Sequence, residues 1–206
     1  MSADLTSKTS HDFVAVLAEA AAAYRQKENK RPDVGVVVDA LLKAEKNAKQ
    51  QRLSYAFASL QGEWRLCFAT GTRKVRKRGG IVLGKGFYLP KLAKAQISFS
   101  ASSEQTLDRC EIGNQVQLGS VLLKLTGPAR YLGKKNLLAF DFTQMQISLF
   151  GRVIYNGKFG GGKGTAEDFY NQAIAKLPFF AFFLVTEDFI AARGRGGGLA
   201  LWIRES

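Results

Sequence analysis

The sequence predicts a mainly β protein: an antiparallel barrel preceded by two helices and interrupted by one late helix. Three observations carry that reading. Through the first 60 residues apolar side chains recur at the 3.6-residue helical period. From Leu60 onward the period switches to two, in short stretches separated by Gly, Asn and Lys-rich turns. The chain has 206 residues and 46% hydrophobic composition, enough for one domain with a substantial core.

Taken in order, Ser10 or Asp12 can cap a first helix with Phe13, Leu17, Ala20 and Tyr24 on one stripe. The run Arg31-Pro32-Asp33 breaks it. Asp33 can cap a second helix with Val37, Leu41, Ala44 and Ala48 on one face. Two short amphipathic helices need a surface to lie on. Residues 1–55 therefore read as a helical segment packed on a β-domain formed by residues 56–206. Within that domain Trp64, Leu66 and Phe68 alternate with polar neighbours. So do Ile97 and Phe99, Ile112, Val116 and Leu118, Val121, Leu123 and Leu125, and Leu138, Phe140 and Phe142. Met145, Ile147 and Leu149 follow the same rule, and Leu199, Leu201 and Ile203 share a side of the last strand. Strands with one dry face make an antiparallel sheet, and closure into a barrel removes its edges. The late helix starts at a Thr165-Ala-Glu-Asp168 capping pattern, carries Phe169, Ala173 and Leu177 on one stripe, and stops at Pro178.

Several chemistries are disfavoured. Two cysteines do not make a disulfide scaffold. No apolar run approaches the ~18 residues of a membrane-spanning helix. The N-terminal stretch lacks a basic region followed by an apolar one and carries Asp4 and Asp12. The expectation is a protein that works where it is made, or a sequence that begins after processing. The segment from Gly157 to Thr165 is glycine-rich and lies between a strand and a helix, like a phosphate loop. Gly164, however, stands where Ser or Thr should follow Lys163. His11 is the only histidine, which leaves little for a metal site or a hydrolytic triad. Cys67 and Cys110 read as buried free thiols. The pairs Glu167-Asp168 and Glu187-Asp188 read as cap and turn residues. No catalytic or metal-binding set is expected.

The charge is informative. Thirty Lys and Arg face 17 Asp and Glu, a net +13. The first 60 residues are nearly balanced, so the excess lies in the β-domain. Arg73, Lys74, Arg76, Lys77, Arg78, Lys85, Lys91 and Lys94 occur with no acid among them, beside Phe87, Tyr88, Leu89 and Leu92. Such a field attracts anionic partners. Apolar residues beside lysines suit a membrane surface. They also suit stacking on bases, but no nucleic-acid module is recognisable and nucleic acid is not the expected partner.

Two segments add a resemblance. Leu60-Gln61-Gly62-Glu63-Trp64-Arg65-Leu66 opens the β-domain with a G-x-W. Thr186-Glu187-Asp188-Phe189-Ile190-Ala191-Ala192-Arg193-Gly194 precedes a glycine-rich turn and a final apolar strand. Together, in order, and with Gln96-Ile97-Ser98 and Asn114-Gln115-Val116 between them, they resemble the plastid lipid-associated proteins, or fibrillins, over residues 55–204. The match departs from the family pattern at Arg195, where Asp is usual, and at Phe189-Ile190.

That resemblance implies a lipocalin-like barrel. It implies a Trp64 ring closed by an arginine from the end of the chain, Arg193 or Arg204. It also implies a non-catalytic, lipid-associated protein of photosynthetic (thylakoid) membranes, peripheral on their cytoplasmic or stromal side. Leu66, Phe68, Ile97, Phe99, Phe140 and Phe142, with Trp64, either line a cavity or fill a small barrel. A cavity would hold a lipid, quinone, carotenoid or bilin. The basic residues would meet anionic thylakoid lipid or an acidic photosynthetic protein. Two other readings stay open: a bilin-binding chromophore lyase or chaperone for antenna proteins, and a structural partner of a photosynthetic complex.

Overall fold

The computed structural model describes residues 4–75, 80–90, 92–101, 109–159 and 166–205. Two long helices come first, α1 (Asp4–Arg25) and α2 (Val34–Gln51). The strands are β1 (Gly62–Val75), β2 (Gly80–Tyr88), β3 (Ala93–Ala101), β4 (Arg109–Leu118), β5 (Val121–Leu132), β6 (Leu137–Phe140), β7 (Gln144–Leu149) and β8 (Arg152–Lys158). A short helix α3 (Ala166–Asn171) precedes β9 (Phe179–Val185), β10 (Phe189–Gly194) and β11 (Leu199–Arg204).

Eight strands close a ring in the order β4-β3-β1-β11-β10-β9-β6-β5, with β4 pairing back to β5. All the pairings are antiparallel. The expected lipocalin-like barrel with two leading helices and one late helix is the observed fold. β2 pairs only with β1, while β7 and β8 hang from β5. These three strands lie outside the ring.

The Asp33 cap is present: its Oδ1 accepts from the Gly35 amide at 2.7 Å. Both predicted stripes are buried, Phe13, Leu17, Ala20 and Tyr24 on α1 and Val37, Leu41, Ala44 and Ala48 on α2. The first helix runs back to Asp4, so neither Ser10 nor Asp12 caps it. It ends at Arg25, before the expected break. The two helices lie on the outer wall, over Phe68, Phe183, Phe189, Leu199, Leu201 and Ile203. The Arg31 guanidinium sits over the rings of both Tyr24 and Tyr88, 5.1 and 5.3 Å from their centroids. The Tyr88 hydroxyl donates to the Pro32 carbonyl at 3.0 Å. These contacts tie the inter-helix link to β2. The late helix is shorter than its stripe suggests: it stops at Asn171 and a 3-10 turn, Ile174–Lys176, carries the chain to Pro178.

A bulge in β1 sets which side chains face the lumen. Leu66 pairs with Trp202 and Phe68 with Leu201, so Cys67 is one residue extra. Up to Leu66 the even-numbered residues point inward. After the bulge Phe68 joins the core beneath the helices. The expectation that Phe68 lines the interior with Trp64 is thereby overturned: the bulge inverts the alternation.

Candidate functional site

The barrel has a closed floor. A 3-10 turn, Phe57–Ser59, brings Phe57 and Leu60 against Trp64, Tyr131 and Leu138. The Trp64 indole is fully buried and donates to the Leu60 carbonyl at 2.7 Å. Arg204 lies over its ring, 4.0 Å from the centroid. The same guanidinium donates to the carbonyls of Glu187, Gln61 and Ser59. It therefore joins the start of β1, the β9–β10 turn and β11. Arg193 plays another part. It points outward, and its Nε donates to Glu45 Oε1 of α2 at 2.8 Å. Burial pushes the Glu45 carboxyl up, but hydrogen bonds from Arg193 and Lys49 outweigh it and hold the pKa below its usual value.

Above the floor the lumen is filled. Trp64, Ile97, Phe99 and Phe140 share one cluster with Ile112, Phe182, Ile190 and Trp202. β3 and β9 are four strands apart in a ring of eight, so they face each other across the barrel. Their Phe99 and Phe182 rings nonetheless meet edge to face at 5.8 Å. Phe180 stacks on Phe140 at 5.0 Å and meets Trp202 at 5.5 Å. Each such pair adds roughly 0.5–1.5 kcal/mol beyond area burial. Leu66, Phe142, Phe180 and Ala200 are only half-buried. By register they lie at the end opposite the floor and form the mouth.

The lumen face does not stop at the mouth. The N-terminal half of β3, the turn-proximal halves of β4 and β5, and β7–β8 continue as an open sheet. This wing pairs Ala93 with Leu118, Leu118 with Val121 and Val121 with Leu149 in one row. The next row pairs Ala95, Val116, Leu123, Ile147 and Tyr155. The third is Ile97, Asn114, Leu125 and Met145. Because Ile97 belongs to the lumen cluster, the apolar face is one surface running from barrel interior to wing. On the wing it is uncovered: Val116, Leu118, Val121, Leu149 and Tyr155 are exposed. The reverse face is mostly polar, with Gln96, Gln115, Gln117, Lys124, Gln144 and Gln146 beside Leu122 and Val153. The Gln115 amide donates to Gln96 there at 2.6 Å.

Of the basic residues expected to meet anions, Arg73 and Lys74 lie on β1 where it pairs with β2, and Lys85 and Lys94 are exposed on β2 and β3. Arg76, Lys77, Arg78 and Lys91 lie outside the described residues. The fold assembles a second basic group. Lys49, Arg52, Lys134 and Lys135 rim a cleft of about 340 Å³ floored by Phe182 and Phe183. It forms where α2 ends beside the β5–β6 turn. Its two basic pairs lie far apart in the chain, so no local pattern announces it. The wing left a clearer signal: alternating strands with one apolar face that none of the described segments covers.

No group of three His, Cys, Asp or Glu side chains converges among the described residues. Burial pushes the Cys67 thiol up to about 12, which leaves it un-ionised at neutral pH and unreactive. Cys110 is also buried and unbridged. Asp188 pairs with Arg25 at 3.7 Å in the β9–β10 turn. No helix among the described residues is long and apolar enough to cross a membrane. No protein-family model matches the chain, and no curated protein does.

Proposed function

We propose that this protein is a non-catalytic, lipid-associated barrel, similar in role to the plastid lipid-associated proteins and peripheral on an anionic (thylakoid) membrane surface. One observation carries the reading: the apolar lumen face leaves the barrel and continues, uncovered, along a five-stranded wing. Monomeric proteins rarely leave a contiguous apolar surface of that kind in water, and lipid is a natural cover for it. The net charge of +13 supports an anionic lipid over a neutral one. The filled floor supports a guest at the mouth, with its tail along the wing, over one sealed inside. A lipid, quinone or carotenoid has the required apolar length.

Vesicle co-sedimentation tests the reading. The protein should pellet with anionic vesicles and not with zwitterionic ones. Binding should weaken as ionic strength approaches ~1 M, where the screening length falls to about 3 Å. Reversing the charges of Arg73, Lys74, Arg76, Lys77 and Arg78 should weaken it further. Equal binding to zwitterionic vesicles, or none to either, refutes the proposal. Extraction of protein purified from its own host reports on the guest. An intense visible spectrum from a bilin would favour the chromophore-lyase alternative instead.

A further inference from the structure

We infer that the far end of the wing is a membrane-inserting tip, with Phe150 as its anchor and the surface of an anionic phospholipid bilayer as its target. The inference rests on the lipid-surface reading above and says which atoms enter the bilayer.

Three turns line up at that end. The β2–β3 link ends at Leu92, next to Ala93, which pairs with Leu118. The β4–β5 turn is Gly119-Ser120, since Leu118 and Val121 are partners. The β7–β8 turn is Phe150-Gly151, since Leu149 and Arg152 are partners. The Phe150 amide donates to the Ser120 carbonyl at 3.0 Å, which locks the second and third turns side by side. Each turn presents a large apolar residue to solvent: Leu92 is 84% exposed, Leu118 63% and Phe150 77%.

Phe150 is the telling one. A two-residue hairpin loop with both central φ angles positive belongs to the type that favours Asn-Gly or Asp-Gly. Here φ is 49° at Phe150 and 77° at Gly151. A bulky aromatic is strained in that region, where Asn is tolerated. At this position the chain therefore carries backbone strain and an aromatic ring in water together. Neither helps the isolated fold. The neighbouring turn is conventional, with Gly119 at φ 57° taking the position that requires it.

The charge around the tip selects the partner. The wing strands β5, β7 and β8 contain no Asp or Glu. Lys94, Lys124, Arg152 and Lys158 stand exposed along the wing. Asp141 sits in the β6–β7 link, away from the turns. Apolar groups at the end and cations behind them match acyl chains with anionic headgroups above.

The test is Phe150→Asn. Asn suits the turn, so the variant should melt no lower than wild type yet bind phosphatidylglycerol-containing vesicles at least about tenfold more weakly, as expected for losing one inserted aromatic. Phe150→Trp should shift its fluorescence to the blue on such vesicles and be quenched by brominated acyl chains. Wild-type binding with undiminished Phe150→Asn binding overturns this inference and leaves the lipid-surface reading standing. So does an emission from the introduced tryptophan that stays water-like on vesicles the protein binds. No wild-type binding to either vesicle type overturns both. A wild-type dimer that Phe150→Asn converts to monomer, with no vesicle signal, overturns both in favour of a second copy on the wing.

Discussion

Arg204 answers three carbonyls from two separate segments while lying on the Trp64 ring, so one guanidinium holds the barrel floor together. Its flat fork with several donors is what a lysine lacks. Arg204→Leu should destabilise the protein by about 1–2 kcal/mol, read as a lower urea midpoint, because the Trp64 ring loses its cation and three carbonyls lose their shared donor. Arg204→Lys should recover only part of that; full recovery would show that charge alone suffices. Asn136 acts in the same way on the other side of the floor. It has φ 50°, and its amide both accepts from the Tyr55 amide at 2.9 Å and donates to the Leu53 carbonyl at 2.6 Å. Asn136→Ala loses both bonds and the tolerance of that φ, at a cost of about 2–3 kcal/mol. The sequence held Trp64 and both candidate arginines in view but could not choose between them. The choice depends on strand parity: Arg204 pairs with Trp64 on the lumen side, while Arg193 pairs with Leu199 on the side the helices cover.

Legibility at the level of elements followed the number of buried faces. Strands with one wet face, β3 to β5 and β7, showed their alternation openly. β9, Phe-Phe-Ala-Phe-Phe-Leu-Val, did not. Phe182 faces the lumen and Phe183 faces the helices, so both sides are apolar and the period disappears. β2 hid behind its basic and aromatic composition. β1 alternated correctly until Cys67, and no local feature of the sequence marks that bulge. The attachment of α2 was also beyond reach, since Glu45 and Arg193 are 148 residues apart. Their pairing makes a pH prediction. The Glu45 pKa is depressed in the folded state, so its stabilising effect is present above the ordinary value of 4.5 and is lost as pH falls through the folded value. Glu45→Gln should cost about 1.5–3 kcal/mol at neutral pH and much less at pH ~3. A melting-temperature gap between wild type and variant that does not shrink with acid would contradict that assignment.

For the whole molecule, the helices serve as the third layer that a lipocalin-like barrel of this sequence requires. Without α1 and α2, Phe68, Phe183, Phe189, Leu199, Leu201 and Ile203 would all face water. Deleting residues 1–55 should therefore give insoluble protein, seen as loss from the supernatant after lysis. The same dry layers set an alkaline limit. Burial pushes Cys67, Tyr88 and Tyr131 each up to about 12, against ordinary values of 9.0 and 10.0. Stability is complete below those ordinary values and falls as pH rises from about 9 toward 12, where only the unfolded chain ionises readily. A urea midpoint unchanged at pH 11 would refute this. The Phe99–Phe182 contact has a kinetic consequence. A plug at that depth means that nothing entering the mouth can be swallowed whole. In the lipid-associated role proposed above, loading and unloading need no gate and no breathing of the strands. Turnover of a guest would then be set by how long the protein dwells on the surface that supplies it, the barrel acting as a ladle dipped into its source, not a sealed flask.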